Sequence, residues 1–297
     1  MELCLGTVQF GMDYGICNQK KPSLDEAVEM LDYATQNGIS AIDTASAYGV
    51  AEDVVGEFLS IKTISREKLF ISSKFKPNLL DECETKDYYK VLKENILLSF
   101  KRMNIDYLDA YLLHSSRYVF NEAIMDALYM LKKEGLAGKV GVSVYEVDEA
   151  KKCIDNPKAD FMQLPFSIFD QRMLQGGVFS YSEGKNTQIH SRSAFIQGLI
   201  LMDESQVPPF LEKAKVIVKK IDDICTNNNI SRIELAMSYV KSVSQISHLV
   251  FGVDNIEQLK EDIQLFNNNL SLDMVMEISK EFQSIETDIV MPSLWKK

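Results

Sequence analysis

The segment "IDTASAYG" (42–49) sets the carboxylate of Asp43 and the phenol of Tyr48 five residues apart, directly after an apolar run that reads as a buried strand. Two further apolar runs stop on ionisable side chains, "LFISSK" (69–74) on Lys74 and "LDAYLLH" (108–114) on His114. Together these four residue types can deliver a proton. A proton donor works best with a pKa nearer 7 than the ~10 of a free phenol. An ammonium beside Tyr48 would lower that value by favouring phenolate, and Asp43 would hold Lys74 charged and in place. A neutral His114 can orient a polar group and stabilise charge developing on its oxygen. Each residue alone has an ordinary role as turn, solvated charge, core histidine or packing. Their shared position, where strands stop, is the argument for chemistry.

The elements that must position them recur along the chain. Eight runs have strand length: 2–7, 39–43, 69–74, 108–114, 139–143, 160–164, 187–192 and 246–252. Several are continuously apolar, as strands buried on both faces of a parallel sheet are. Helical signals fill the gaps. Ser23 and Glu26 have capping-box spacing, and Asn37-Gly38 ends that helix. Tyr88, Val91, Leu92, Ile96 and Met103 share one helical face, and Asn121 can cap a helix that Gly135 terminates. Residues 255–266 read as a helix after the last strand, and the long link from 192 to 246 reads as two, near 208–227 and 231–241. Right-handed strand–helix units in this number predict an α/β protein, a single (β/α)8 TIM barrel domain over residues 1–297.

Function in such a barrel gathers at the C-terminal ends of the strands. Those ends carry Gly6-Thr7, Asp43, Lys74, His114, Ser143, Gln163, Arg192-Ser193 and Gly252. Seven of the eight offer a polar group, which core packing does not explain. In this order and context, "IDTASAYG", "ISSK" and "YLLH" resemble the aldo-keto reductase family, whose catalytic tetrad is an Asp, a Tyr, a Lys and a His at such strand ends. The resemblance extends from "LGT" (5–7) through "GVS" (141–143) and "MQLPFS" (162–167) to "GVDNIEQLKED" (252–262). It implies an enzyme that reduces an aldehyde or ketone with NADP or NAD, with Asp43, Tyr48, Lys74 and His114 as catalytic residues. Such a reaction needs a hydride on carbon, which a nicotinamide supplies, and a proton on oxygen, which Tyr48 would give.

The same resemblance makes Thr7, Ser143, Gln163, Arg192, Ser193, Gly252, Asp254, Gln258, Glu261 and Asp262 the expected cofactor-binding positions, with Ser143 and Gln163 on the nicotinamide carboxamide. The chain departs from the family in three places. Val144 follows Ser143 where the family usually has Asn, so one amide contact is lost or replaced. Arg192 stands where the family often has a tyrosine that stacks on the nicotinamide, and it could stack there or reach the pyrophosphate. Gly252, Asp254 and Gln258 fall where members preferring NADP often carry basic residues, so acceptance or preference of NAD is expected. Met12, Tyr14, Tyr118 and Phe195, with the tail around Trp295, are the expected substrate-pocket walls. "TVQFGMDYGICN" (7–18) and "FSIFDQR" (166–172) resemble bacterial reductases linked to sugar or surface-polysaccharide metabolism, which suggests a sugar or nucleotide-sugar carbonyl. The alternative is a cofactor-binding, redox-sensing or regulatory subunit with little turnover.

Composition bounds the rest. With 297 residues, 46% hydrophobic and 25% charged, the chain has ordinary globular make-up. A net charge of −11 with no basic run opposes nucleic acid and anionic membrane as partners. The five cysteines (Cys4, Cys17, Cys83, Cys153, Cys225) are scattered, with no C-x-x-C pair. That pattern suits a reducing cytoplasm without structural zinc or disulfides. Only three histidines occur, none as H-x-H, which disfavours a metal-dependent hydrolase. The N-terminus has no signal-peptide pattern and no run reaches membrane-helix length. A cytoplasmic monomer or homo-oligomer acting on a small carbonyl substrate is therefore expected.

Overall fold

Eight parallel strands hydrogen-bond in chain order and close into a barrel in the computed structural model, which describes residues 1–16, 19–61 and 63–296. They are β1 (Glu2–Gly6), β2 (Ala41–Asp43), β3 (Phe70–Phe75), β4 (Leu108–Leu113), β5 (Ala137–Ser143), β6 (Phe161–Pro165), β7 (Gln188–Arg192) and β8 (Ile246–Phe251). All eight expected strands are present, and closure leaves no sheet edge to protect. Cys17, one of the five scattered cysteines, lies outside the described residues. The other four are free thiols.

The outer ring contains α1 (Leu24–Gln36), α2 (Ala51–Ser60), α3 (Tyr88–Met103), α4 (Glu122–Lys133), α5 (Val147–Asp155), α6 (Lys215–Asn228), α7 (Arg232–Lys241), α8 (Ile256–Leu265) and α9 (Leu272–Glu281). The start signals act as expected. Ser23 and Glu26 close a reciprocal capping box, and the Asn121 side chain accepts from the amides of Ala123 and Ile124. Gly38 and Gly135 end their helices at φ +91° and +77°, a backbone region where a Cβ is strained. The 192–246 link does hold two helices, although the first begins at Lys215. Residues Pro209–Ala214 before it form 3-10 turns broken at Leu211, whose backbone (φ −120°, ψ +24°) is not helical. The β6–β7 crossover carries only two four-residue helical turns, Arg172–Gln175 and Val178–Tyr181. No helix among the described residues is long and apolar enough to cross a membrane.

Alternation along the strands separates two buried regions. Leu5, Ile42, Ile71, Tyr111, Val140, Val142, Met162 and Leu249 point out and join the helices in one continuous core. The inward positions make two small apolar layers, Cys4, Ala41 and Val250 in one and Ala110, Leu112 and Phe161 in the other, both touching Phe70. Because side chains repeat every second residue, the strands that set Ala41, Phe70 and Phe161 inward also set Asp43, Ser72, Lys74 and Gln163 inward, one or two layers higher. Register completes the alignment by pairing Asp43 with Ser72 and Ser143 with Gln163.

Candidate active site

At the C-terminal mouth, Lys74 donates from Nζ to Asp43 Oδ2 at 2.5 Å and to the Thr44 carbonyl at 3.0 Å. Both partners of this ion pair are almost completely buried, at 0% and 4% side-chain exposure. The second carboxylate oxygen of Asp43 accepts from Ser72 Oγ (2.9 Å) and Gln163 Nε2 (2.8 Å). Lone pairs that burial would otherwise orphan are thus filled, as a buried charge requires. The ammonium lies 5.0 Å from the centre of the Tyr48 ring. His114 meets the same ring edge-on at 5.7 Å. The structure therefore brings all four tetrad residues together.

The loop bearing Tyr48 is held at several points. Thr44 and Ser46 continue to pair with β3 beyond the end of β2, through Thr44 N to the Ser72 carbonyl and Ser46 N to the Lys74 carbonyl. Ser46 Oγ also donates to the Lys74 carbonyl at 2.9 Å. From the other side the helical turn Val8–Gly11 presses on it, and Val50 N donates to the Gly11 carbonyl. A Cβ on Gly11 would lie 1.7 Å from the Tyr48 carbonyl oxygen, so only glycine permits this approach.

Electrostatics assign the protons. Burial opposes the Lys74 charge, but Asp43 and Tyr48 outweigh it and raise its pKa, so the ammonium persists. Burial pushes Tyr48 up more than Lys74 and Arg192 pull it down, and Asp43 adds to the rise. The expected lowering below the ordinary phenol range is therefore not the net result: Lys74 acts in that direction, and desolvation wins. A protonated phenol at neutral pH follows. Burial, with Lys74 and Arg192, drives His114 down to about 3, leaving the imidazole neutral. Its Nδ1 is buried without a hydrogen-bond partner.

The cofactor positions divide. Ser143 Oγ and Gln163 Oε1 are buried, adjacent and unpartnered, while the Gln163 amide is committed to Asp43. A hydroxyl beside a free amide oxygen matches what a carboxamide needs, an acceptor for its N–H and a donor for its oxygen. Val144 supplies no amide, since its side chain is fully buried in the core. Its carbonyl instead accepts from Arg192 Nη2 at 3.0 Å. Arg192 stacks on the Tyr145 ring at 4.3 Å and reaches Ser193 Oγ at 3.4 Å, Ser193 having φ +66°. Thr7 spends its hydroxyl proton on the Asp43 carbonyl, which ties β1 to β2. Gly252 leaves room for Gln9, whose amide a Cβ would meet at 2.2 Å. Asp254 and Gln258 engage one another at the start of α8, and burial raises the Asp254 pKa. Glu261 is exposed, whereas Asp262 is buried and its carboxyl is pushed up to about 8 by that burial and by Glu261.

Of the expected pocket walls, Tyr14 is half-buried and close enough to Tyr48 to be perturbed by it, burial together with Tyr48 pushing its pKa up to about 12. Met12 is exposed and Phe195 half-buried. Tyr118 is a correction. It is 5% exposed, donates to Asp81 Oδ1 at 2.7 Å and accepts from Leu80 N at 3.1 Å, so it locks the loop after β3 and is no pocket wall. Trp295 is also buried, donating to the Ile289 carbonyl and packing beside Phe210. Sequence reasoning missed Ser72, Tyr145 and Glu149. Glu149 accepts from the amides of Tyr145 and Glu146 and from Ser116 Oγ, fixing the loop on which Arg192 leans. The inward parity shared by Ser72 and Lys74 was the signal for the first. For the other two, only the loop's three-dimensional course reveals the role.

The aldo/keto reductase family model matches residues 2–281. The chain is 25% identical over 265 residues to the Escherichia coli NADH-specific methylglyoxal reductase, covering 79% of this chain and 80% of that protein. It is 29% identical over 191 residues to the Bacillus subtilis glyoxal reductase, covering 64% and 66%. Among solved structures, an aldo-keto reductase from Bacillus halodurans in holo form superposes with a TM-score of 0.78 at 18% identity, covering 98% of this chain and 95% of that one, a likeness of fold. The barrel, the strand-end geometry and the match along almost the whole chain agree: this chain belongs to the aldo/keto reductase family, oxidoreductases that act on carbonyl groups with a nicotinamide cofactor.

Proposed function

We propose that the chain reduces the carbonyl of a small aldehyde or ketone, with Tyr48 as proton donor, Lys74 and Asp43 tuning and holding it, and His114 orienting the carbonyl oxygen. The observation that carries this reading is the buried Lys74–Asp43 pair beneath the Tyr48 ring, with a neutral imidazole against the same ring. A bound nicotinamide supplies the hydride. Ser143 and Gln163 bind its carboxamide through the two polar atoms that otherwise stay unpaired. The phenol of Tyr48 keeps its proton at neutral pH and releases it as negative charge grows on the substrate oxygen. The adjacent ammonium then favours the phenolate that remains. Neutral His114 adds a hydrogen bond to that oxygen without competing for the proton.

NADH is the preferred cofactor in this reading. Gly252, Asp254 and Gln258 present no cation after β8, and Lys260 lies over the Tyr33 ring at 5.5 Å. The NADH-specific relative supports the same choice. Small dicarbonyls such as those named for the relatives, and sugar or nucleotide-sugar carbonyls, form the first substrate panel. The test is oxidation of NADH and of NADPH followed by absorbance, for wild type and Tyr48→Phe. A loss of roughly 10²–10⁴-fold in kcat for the variant is expected, with NADH favoured in kcat/KM. Equal turnover by both proteins refutes Tyr48 as donor, and a large NADPH advantage refutes the cofactor choice.

A further inference from the structure

The chain has six arginines, and five of them lie against carboxylates. Arg66 pairs with Asp109, Arg102 with Glu52, Arg117 with Asp81, Arg172 with Asp170 and Glu146, and Arg232 with Asp203 and Asp222. Arg192 is the exception among the described residues. It is half-buried at the end of β7, and its contacts are all neutral: the Val144 carbonyl, the Ser193 hydroxyl and the face of Tyr145. A half-buried guanidinium without a counter-ion is unusual in a protein with 43 acidic residues able to supply one.

The charge is aimed. Stacking on Tyr145 fixes the guanidinium plane, and the Val144 bond fixes its rotation, so little ordering remains to be done when a ligand arrives. Two of five N–H donors are used, one of them only at 3.4 Å, which leaves a fork for a planar anion. The direction follows from which groups sense the charge. Arg192 lowers the pKa of Tyr48 and His114, the side chains on the proposed carbonyl oxygen, and of Tyr14, an expected pocket wall. It does not figure at Asp254 or Asp262, on the β8–α8 side of the mouth.

Resting on the reductase reading, we propose that Arg192 is a specificity-determining residue that binds an anionic group, a carboxylate in the first instance, on the carbonyl substrate itself. The physiological substrate class is then an aldehyde or ketone bearing a carboxylate or phosphate a few bonds from the reacting carbon. The same guanidinium chemistry could be met by the pyrophosphate of the cofactor, and the test separates the two sources.

Matched substrates differing in charge are compared with NADH present: succinic semialdehyde against butanal, and 3-carboxybenzaldehyde against benzaldehyde. Wild type, Arg192→Gln and Arg192→Lys are each assayed, and binding of benzoate and of NADH is measured by calorimetry. Wild type is expected to favour the anionic partner in kcat/KM. Arg192→Gln should reduce the anionic-to-neutral ratio by 10-fold or more, mostly through KM, and weaken benzoate binding in parallel. Arg192→Lys should restore part of both, because a point charge replaces a fork. Absence of charge preference in wild type overturns the proposal. So does a variant that loses NADH affinity while keeping the ratio, which assigns Arg192 to the pyrophosphate. If no carbonyl is turned over with either cofactor the reductase reading fails, and benzoate binding still decides whether Arg192 holds an anion.

Discussion

Lys74 is fully buried and its charge is balanced by one carboxylate, so the two residues can be judged only as a pair. Replacing Lys74 by Met removes the cation and strands the Asp43 carboxylate, which retains only Ser72 and Gln163 as donors. We expect Lys74→Met to destabilise the fold by about 3–5 kcal/mol, the usual cost of orphaning a buried charge. Asp43→Asn orphans the Lys74 ammonium in turn, leaving it the Thr44 carbonyl, and should cost a similar amount. Denaturant unfolding of both single variants and of the Lys74→Met/Asp43→Asn double variant checks the coupling, and a double-variant loss equal to the sum of the single losses would show the pair to be energetically uncoupled. Asp43, Lys74 and His114 were legible in the sequence because each stands where an apolar run stops, and Tyr48 because it follows Asp43 by five residues. The net rise in the Tyr48 pKa was not, because sequence shows a lysine nearby but not the depth of burial that outweighs it. Tyr118 misled for a related reason: a tyrosine after the fourth strand looks like a pocket wall until its hydroxyl is found committed to Asp81 and Leu80.

Among the elements, the strands were the most legible, since continuous apolar runs of five or six residues are what two-sided burial demands. Helices announced by caps were equally plain. Less so were α2 and α5, whose starts at Ala51 and Val147 lack a Ser, Thr, Asp or Asn cap, and the one-turn pieces between β6 and β7. The turn Val8–Gly11 was also missed, although it determines where Tyr48 sits. Gly11 and Gly49 face each other across a gap too small for a side chain, with Gly49 at φ +57°. Gly11→Ala must displace the Tyr48 carbonyl, because backbone cannot yield as a flexible side chain does. A shift of about 1 Å in the donor costs on the order of 10²-fold in rate. Gly11→Ala is thus expected to lower kcat by roughly that factor while NADH binding, held by residues on β5 and β6 in our reading, is weakened far less. A variant with unaltered kcat would show that the contact does not position the phenol.

For the whole molecule, stability against pH follows from groups that burial shifts in opposite directions. His190 lies inside the barrel, 4.6 Å from the Phe161 ring and 4.2 Å from His248, and burial, His248 and Lys139 drive its pKa well below the ordinary histidine value. His114 is held at about 3, and burial lowers His248 as well. Unfolding frees these rings to take up protons near pH 6.5, so as the pH falls below that value the unfolded chain binds more protons and stability declines. Asp262 has the opposite sign. Its folded carboxyl titrates at about 8, so between the unfolded value near 3.9 and pH 8 the folded chain holds the extra proton, and stability declines as pH rises. Below pH 6.5, His114, His190 and His248 together oppose Asp262 and outnumber it, so the unfolded chain takes up more protons than the folded one and stability falls on acidification. Between pH 6.5 and 8 Asp262 acts against little else among these groups, so maximum stability should fall near pH 6.5. Asp262→Asn removes the group that makes the alkaline side slope. Its melting temperature should exceed that of wild type at pH 7.5, and its curve should flatten between pH 6.5 and 8 while the acid side steepens. Melting curves from pH 4.5 to 8.5 measure both limbs. An Asp262→Asn protein with the wild-type alkaline slope would show that this carboxyl is not the group responsible.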